Sequence, residues 1–115
     1  VNEVEAEQMT GESDPGKQPE RLLEAYRGGK FVLTMGSRGS MYKDSLQEFH
    51  QDIYKVNAVD TTAAGDTFTG FFLAAILEGR PIPEALDEAA RASAIAVSRP
   101  GASSSIPTVE EVRNF

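Results

Sequence analysis

Apolar positions change their spacing along the chain, and the changes mark out its elements. Residues 1–11 (VNEVEAEQMTG) read as a strand end followed by a short helix, with Asn2 as N-cap, acidic residues in the first turn and Gly11 past the end. Residues 12–20 are a polar loop rich in Pro and Gly. Residues 19–30 predict an amphipathic helix with Leu22, Leu23 and Tyr26 on one side, stopped by Gly28 and Gly29. Phe31, Val32 and Leu33 form a short continuous apolar run, the mark of a strand covered on both faces. A tight loop follows at Gly36, Ser37, Arg38 and Gly39, and residues 40–43 read as the return strand. Residues 49–60 alternate loosely, with Phe49, Ile53 and Val56 as inward candidates, and predict one or two more strands.

The period then lengthens. Residues 66–79 predict a helix apolar on nearly every side, hence buried, and stopped by Gly79. Residues 83–99 predict a second long helix, rich in Ala at close spacing. Residues 100–107 are a loop. Thr108 and Glu111 form a capping box opening a last helix. Helix, helix, strand, hairpin, strand, helix, helix is an α/β pattern. It predicts a mostly parallel sheet with antiparallel strands toward one edge. Val1 reads as the tail of a strand, so residues 1–115 are expected to be part of a larger domain.

Composition narrows the chemistry. With 115 residues, 40% apolar and 25% charged, the chain has the balance of a globular domain. Its net charge is −7 and no Lys/Arg cluster interrupts it, which argues against a nucleic-acid partner or an anionic membrane surface. The absence of cysteine excludes disulfides, thiolate catalysis and Cys-based metal sites. The single His50 cannot build a multi-histidine metal site and reads as a surface strand residue, while Asp44 reads as a turn cap. No apolar run reaches transmembrane length and no signal peptide is visible; a cytoplasmic location is expected.

One stretch concentrates candidate chemistry. In residues 60–72 (DTTAAGDTFTGFF) a strand is expected to end near Asp60 and a helix to begin near Gly65. Only small side chains lie between. The free N–H groups of a helix's first turn bind anions, and small residues let a phosphate approach that backbone. Asp66 stands in that first turn as either a cap or a general base.

The same stretch closely resembles the second signature of the ribokinase family, the phosphofructokinase-B (pfkB) type carbohydrate kinases, with Ala63 where the general pattern has Gly. Three more stretches fit in order: residues 2–5 (NEVE) resemble the N-x-x-E motif, residues 34–40 (TMGSRGS) the strand-end nucleotide loop, and residues 94–107 (AIAVSRPGASSSIP) the C-terminal nucleotide and cation segment. The resemblance implies a ribokinase-like (Rossmann-like) three-layer α/β/α domain, of which residues 1–115 would be the C-terminal nucleotide-binding part, without the N-terminal half and its lid. It implies ATP-dependent phosphorylation of a sugar hydroxyl, with a small-molecule sugar as substrate and a homodimer when intact. Asp66 would be the catalytic base, and Ala63, Ala64 and Gly65 would supply anion-hole amides. Asn2, Thr34, Gly36, Ser37, Arg38 and Gly39 would bind the nucleotide. Glu5 would serve Mg²⁺ through water. Asp60, Thr62, Ala96, Arg99, Gly101 and Ser105 would hold K⁺.

Blander readings stand beside these. Asn2 and Glu5 also read as an N-cap and a solvated face, residues 36–40 as a plain hairpin loop with a surface Arg38, and residues 103–105 as a plain linker. The alternatives in function are a nucleoside or vitamin-like alcohol kinase of the same superfamily and a non-catalytic nucleotide-binding module. The 115 residues alone are expected to be inactive, and to self-associate through apolar surface left open.

Overall fold

The structure, a computed structural model, describes residues 1–26, 28–100 and 106–115. The expected cation ligands Gly101 and Ser105 lie outside the described residues. The chain divides into two compact units, Val1–His50 and Gln51–Phe115.

The first unit holds helices α1 (Glu3–Thr10) and α2 (Gln18–Ala25) and strands β1 (Phe31–Thr34) and β2 (Ser40–Lys43); β3 (Glu48–Gln51) completes the sheet order β1-β2-β3. The helices form where the sequence places their stops. Asn2 caps α1, and Gly11 ends it in the left-handed region at φ 77°. β1 and β2 pair antiparallel, with Phe31 opposite Lys43 and Thr34 opposite Ser40. The parallel direction appears beside β1, where Asn2 bridges Thr34. There the Thr34 amide donates to the Val1 carbonyl at 2.9 Å, and the Val1 amine donates to the Val32 carbonyl at 2.8 Å. Ala6, Leu22, Leu33, Met35 and Met41 make the core, with Phe31 packed against it. Their burial fixes α1 and α2 on one face of the hairpin. Tyr26 departs from expectation: it ends α2 with non-helical dihedrals (φ −129°, ψ 79°), and its ring is largely exposed.

The second unit holds α3 (Ala64–Leu77), α4 (Ile82–Val97) and the short α5 (Val109–Arg113). Ala85, Ala89, Ala92 and Ala96 are buried at helical spacing along α4. They give it a small-residue stripe that a neighbouring helix can approach closely, and α3 packs against α4. Phe71 of α3 closes over Ala92, Ile95 and Val112.

Two expectations fail here. Of the one or two strands expected over residues 49–60, one forms as β3, but none ends near Asp60. Residues 52–60 form no strand, and the amides of Val59 and Asp60 donate to the Val97 carbonyl at 2.6 and 3.1 Å. Ile53 is accordingly exposed. And α3 is not buried all round. It buries Thr67, Phe68, Phe72 and Ala75, whereas Leu73 (53% exposed), Ile76 and Leu77 (88%) face outward. An all-apolar helix pattern shows which residues tolerate burial, not which of them are covered.

Candidate functional site

In the second unit, the segment ahead of α3 is fixed before the helix begins. The Asp60 carboxylate accepts from the Thr62 amide at 2.9 Å and from the Thr62 hydroxyl as well. The Val97 bonds tie the segment to the end of α4 through the backbone, while the Asp60 side chain fixes the turn within the segment. α3 then starts at Ala63, an N-cap whose side chain can accept no hydrogen bond. That omission matters chemically. With no capping side chain, the first-turn donors are left for something else.

The amides divide unequally. Ala64 donates to the Thr61 carbonyl at 3.2 Å, and Thr67 donates to the Ala63 carbonyl at 2.9 Å. Gly65 and Asp66 have no backbone acceptor among the described residues. A Cβ built on Gly65 would meet nothing within 4 Å, so no neighbour crowds the turn at that point. Asp66 is exposed in the same turn. The Ser93 hydroxyl of α4 reaches the Ala64 carbonyl at 3.4 Å, a further tie across the two helices. The result is a helix N-terminus with donors to spare and a carboxylate at its edge, suited to an anion and a proton acceptor.

The cation-ligand candidates are partly assembled. Asp60 and Thr62 are bonded to each other, and the Val97 bonds bring Asp60 to the end of α4 beside Ala96 and Arg99. The Ala96 carbonyl accepts the Arg99 amide at 3.3 Å. The Arg99 guanidinium pairs with Glu111, whose carboxyl is held at about 2 chiefly by that bond, with help from the Thr108 amide. Sequence reasoning missed Val97, since nothing in a valine side chain announces a backbone acceptor. It also passed over Thr67, whose hydroxyl is buried one residue beyond Asp66.

A separate cluster holds the middle of this unit. The Tyr54 hydroxyl donates to Asp87, and Arg91 bonds Asp87 at 3.0 Å while lying 5.3 Å over the Tyr54 ring. The bond to Asp87 raises the Tyr54 pKa.

In the first unit, the parallel bridge sets Asn2 beside Thr34, so the N-x-x-E stretch and the strand-end loop are neighbours. Asn2 Oδ1 accepts the Glu5 amide at 2.8 Å, and Glu5 Oε1 accepts the Asn2 amide at 3.0 Å. This is a complete capping box: the expected Asn2 N-cap is present, and Glu5, expected only as a solvated face, completes it. The Glu5 side chain stays exposed. Gly36, Ser37 and Arg38 form one 3₁₀ turn, closed by the Gly39 amide on the Gly36 carbonyl at 3.1 Å. Asp44 caps the β2–β3 turn as expected, accepting from the Leu46 and Gln47 amides at 2.8 and 2.9 Å. Burial, with the Asp44 bond behind it, pushes the Tyr42 hydroxyl up to about 12.

The donor set limits what can bind. No three His, Asp or Glu side chains gather among the described residues, so a metal cage made of protein carboxylates does not fit. A Mg²⁺ ion that keeps most of its waters and meets one exposed carboxylate does fit. The open donors at Gly65 and Asp66 fit a phosphoryl group. Among the described residues no helix is long and apolar enough to cross a membrane.

Comparison with known proteins gives the family. The sequence profile of the pfkB family carbohydrate kinases matches residues 1–109. A ribokinase of Schizosaccharomyces pombe is 50% identical over 82 residues, covering 70% of this chain and 26% of its own length. A ribokinase of Staphylococcus aureus is 40% identical over 116 residues, covering 96% of this chain and 38% of its own. The structure of Arabidopsis thaliana ribokinase complexed with ribose and ATP superposes with a TM-score of 0.90 at 31% identity, over 98% of this chain and 38% of that one. The chain belongs to the pfkB family of carbohydrate kinases. Its fold is the ribokinase fold over the part it spans, which is well under half the length of these relatives.

Proposed function

We propose that the protein carrying this chain transfers the terminal phosphoryl group of ATP to a hydroxyl of a sugar, with a pentose favoured. The observation that supports this best is the first turn of α3. There the Gly65 and Asp66 amides are unengaged among the described residues, and the Asp66 carboxylate is exposed beside them. The choice of a pentose rests on the ribokinase and deoxyribokinase relatives.

In this reading Asp66 takes the proton of the acceptor hydroxyl as its oxygen forms the new bond to phosphorus and the bond to ADP breaks. The negative charge that develops on the phosphoryl oxygens falls on the α3 amides. Gly65 and Asp66 serve directly; Ala63 joins them, and Ala64 contributes once its weak bond to Thr61 yields. Thr34, Gly36, Ser37, Arg38 and Gly39 contact the nucleotide. Asn2 and Glu5 would hold a hydrated Mg²⁺ through water, and the ion would supply charge screening at the phosphates. Asp60, Thr62, Ala96, Arg99, Gly101 and Ser105, several of them through backbone carbonyls, would hold K⁺, which would supply fixed positive charge to the phosphoryl site.

The test is ATP turnover by the full-length protein against a panel of sugars and nucleosides, with and without K⁺, beside its Asp66→Asn variant. Pentose-dependent turnover that disappears in the variant supports the reading. Preference for a nucleoside moves the substrate class, and ATP binding without turnover on any acceptor favours a nucleotide-binding module.

A further inference from the structure

Thr67 is the one polar residue among those that α3 buries. It is 3% exposed, and its Oγ1 has no hydrogen-bond partner among the described residues. A buried hydroxyl without a partner weakens a fold, and valine would fill the same branched volume without that cost. Thr67 therefore stands where packing alone favours an aliphatic side chain.

Its position suggests what the hydroxyl is for. The side chain of a helical residue leans toward the helix N-terminus, which carries Thr67 back over the turn of residues 63–66. That turn holds the unengaged Gly65 and Asp66 amides, and the Thr67 amide itself is bonded to the Ala63 carbonyl at 2.9 Å. The Ser93 hydroxyl donates to the Ala64 carbonyl, and no bond joins it to Thr67. Unmatched donors and an unmatched hydroxyl thus occupy one helical turn.

We infer that Thr67 is a positioning residue of the anion site. Its hydroxyl takes up a hydrogen bond within the turn of residues 63–66 when a phosphoryl group occupies the Gly65 and Asp66 amides. Ligand binding then supplies what the empty fold lacks, and the hydroxyl contributes affinity at the expense of resting stability. No carbonyl one turn back bonds the hydroxyl in the empty fold. A small shift of the turn on ligand binding would bring one to hydrogen-bond distance, a bond that Thr in helices commonly makes. This inference rests on the anion-site reading above.

The experiment compares the full-length wild type with Thr67→Val and Thr67→Ser. It measures thermal midpoints without ligand, and the affinity for a non-hydrolysable ATP analogue with Mg²⁺ by calorimetry. The expected result is that Thr67→Val melts no earlier than wild type yet binds the analogue roughly 3- to 10-fold more weakly, as the loss of one neutral hydrogen bond implies. Thr67→Ser keeps wild-type affinity. A Thr67→Val protein that melts earlier or fails to fold assigns the hydroxyl a partner in the resting fold and overturns the inference, as does unchanged affinity. Wild type that binds no analogue sinks the anion-site reading instead, a result distinguishable because it does not depend on the variants.

Discussion

The Asp60 amide donates to the Val97 carbonyl at 3.1 Å. Through that bond the last residue of α4 holds the segment from which α3 starts. The Asp60 side chain adds a second constraint by accepting from Thr62. Asp60→Ala leaves the backbone link and removes the carboxylate. The expected outcome is a loss of stability of about 1 kcal/mol, as for other side-chain caps. Turnover falls as the α3 amides lose their register, and stimulation by K⁺ shrinks with it. Chemical denaturation and steady-state kinetics at graded K⁺ check both parts.

Asp66 has a different task. Its side chain is exposed in the first turn of α3. Asp66→Asn is nearly isosteric and should leave the melting temperature within a few degrees of wild type. Loss of a general base removes about 10²- to 10⁴-fold in rate. Turnover in the full-length protein should therefore drop by at least the lower figure, while ATP affinity changes by less than threefold. A variant that retains most of its turnover would sink the assignment.

Gly65 lies within α3 at an ordinary helical φ, and an added Cβ there meets nothing. Glycine in that place weakens the helix by roughly 0.5–1 kcal/mol relative to alanine. Gly65→Ala should therefore stabilise the protein by a few tenths of a kcal/mol to about 1 kcal/mol. In the same variant the methyl group crowds the approach to the Gly65 amide, so analogue affinity should fall. Opposite signs for stability and binding in one variant would separate a glycine kept for ligand approach from one kept for the fold.

Much of this was legible in sequence because it depends on local rules. The Asn2 N-cap, the Thr108–Glu111 capping box, the stops at Gly11 and Gly79, and the β1–β2 hairpin follow from residue types a few positions apart. The run ahead of Asp66 was legible for the same reason: small residues before a helix start leave donors exposed. Residues 52–60 were not, because their partner is a backbone carbonyl at Val97, distant in the chain and carried by an uninformative side chain. The outward face of α3 was hidden because Leu73, Ile76 and Leu77 are as apolar as the residues that are buried. Thr67 escaped notice since a threonine among phenylalanines looks like ordinary helix sequence until its hydroxyl is found without a partner.

Gly39 closes the nucleotide-loop candidate with φ 87° and ψ −146°, a region that residues with a Cβ rarely enter. It is buried, and its carbonyl accepts the Met35 amide at 2.8 Å, so the turn cannot relax without losing that bond. Gly39→Ala should cost about 1–3 kcal/mol. Denaturant titration measures the loss, and ATP affinity should weaken alongside it if this loop contacts the nucleotide.

The Arg99–Glu111 pair should leave its mark on the acid limb of stability. Its bond to Arg99, and then the Thr108 amide, lower the Glu111 carboxyl from 4.5 to about 2. A carboxylate with a depressed folded-state pKa binds its proton more weakly in the native protein than in the unfolded chain. Its contribution is therefore present above about 4.5 and is lost as the pH falls from there through about 2. Glu111→Gln should lower the melting temperature at neutral pH and flatten its dependence on pH across that window. Some slope will remain, because the Tyr42 bond lowers the Asp44 carboxyl too and loses its contribution in the same direction. Raising the salt concentration should narrow the gap between wild type and variant, since both partners of the pair are partly exposed. Melting curves from pH 2 to 7 at low and high salt decide the matter. Parallel pH curves for the two proteins would show that the pair contributes nothing to acid stability.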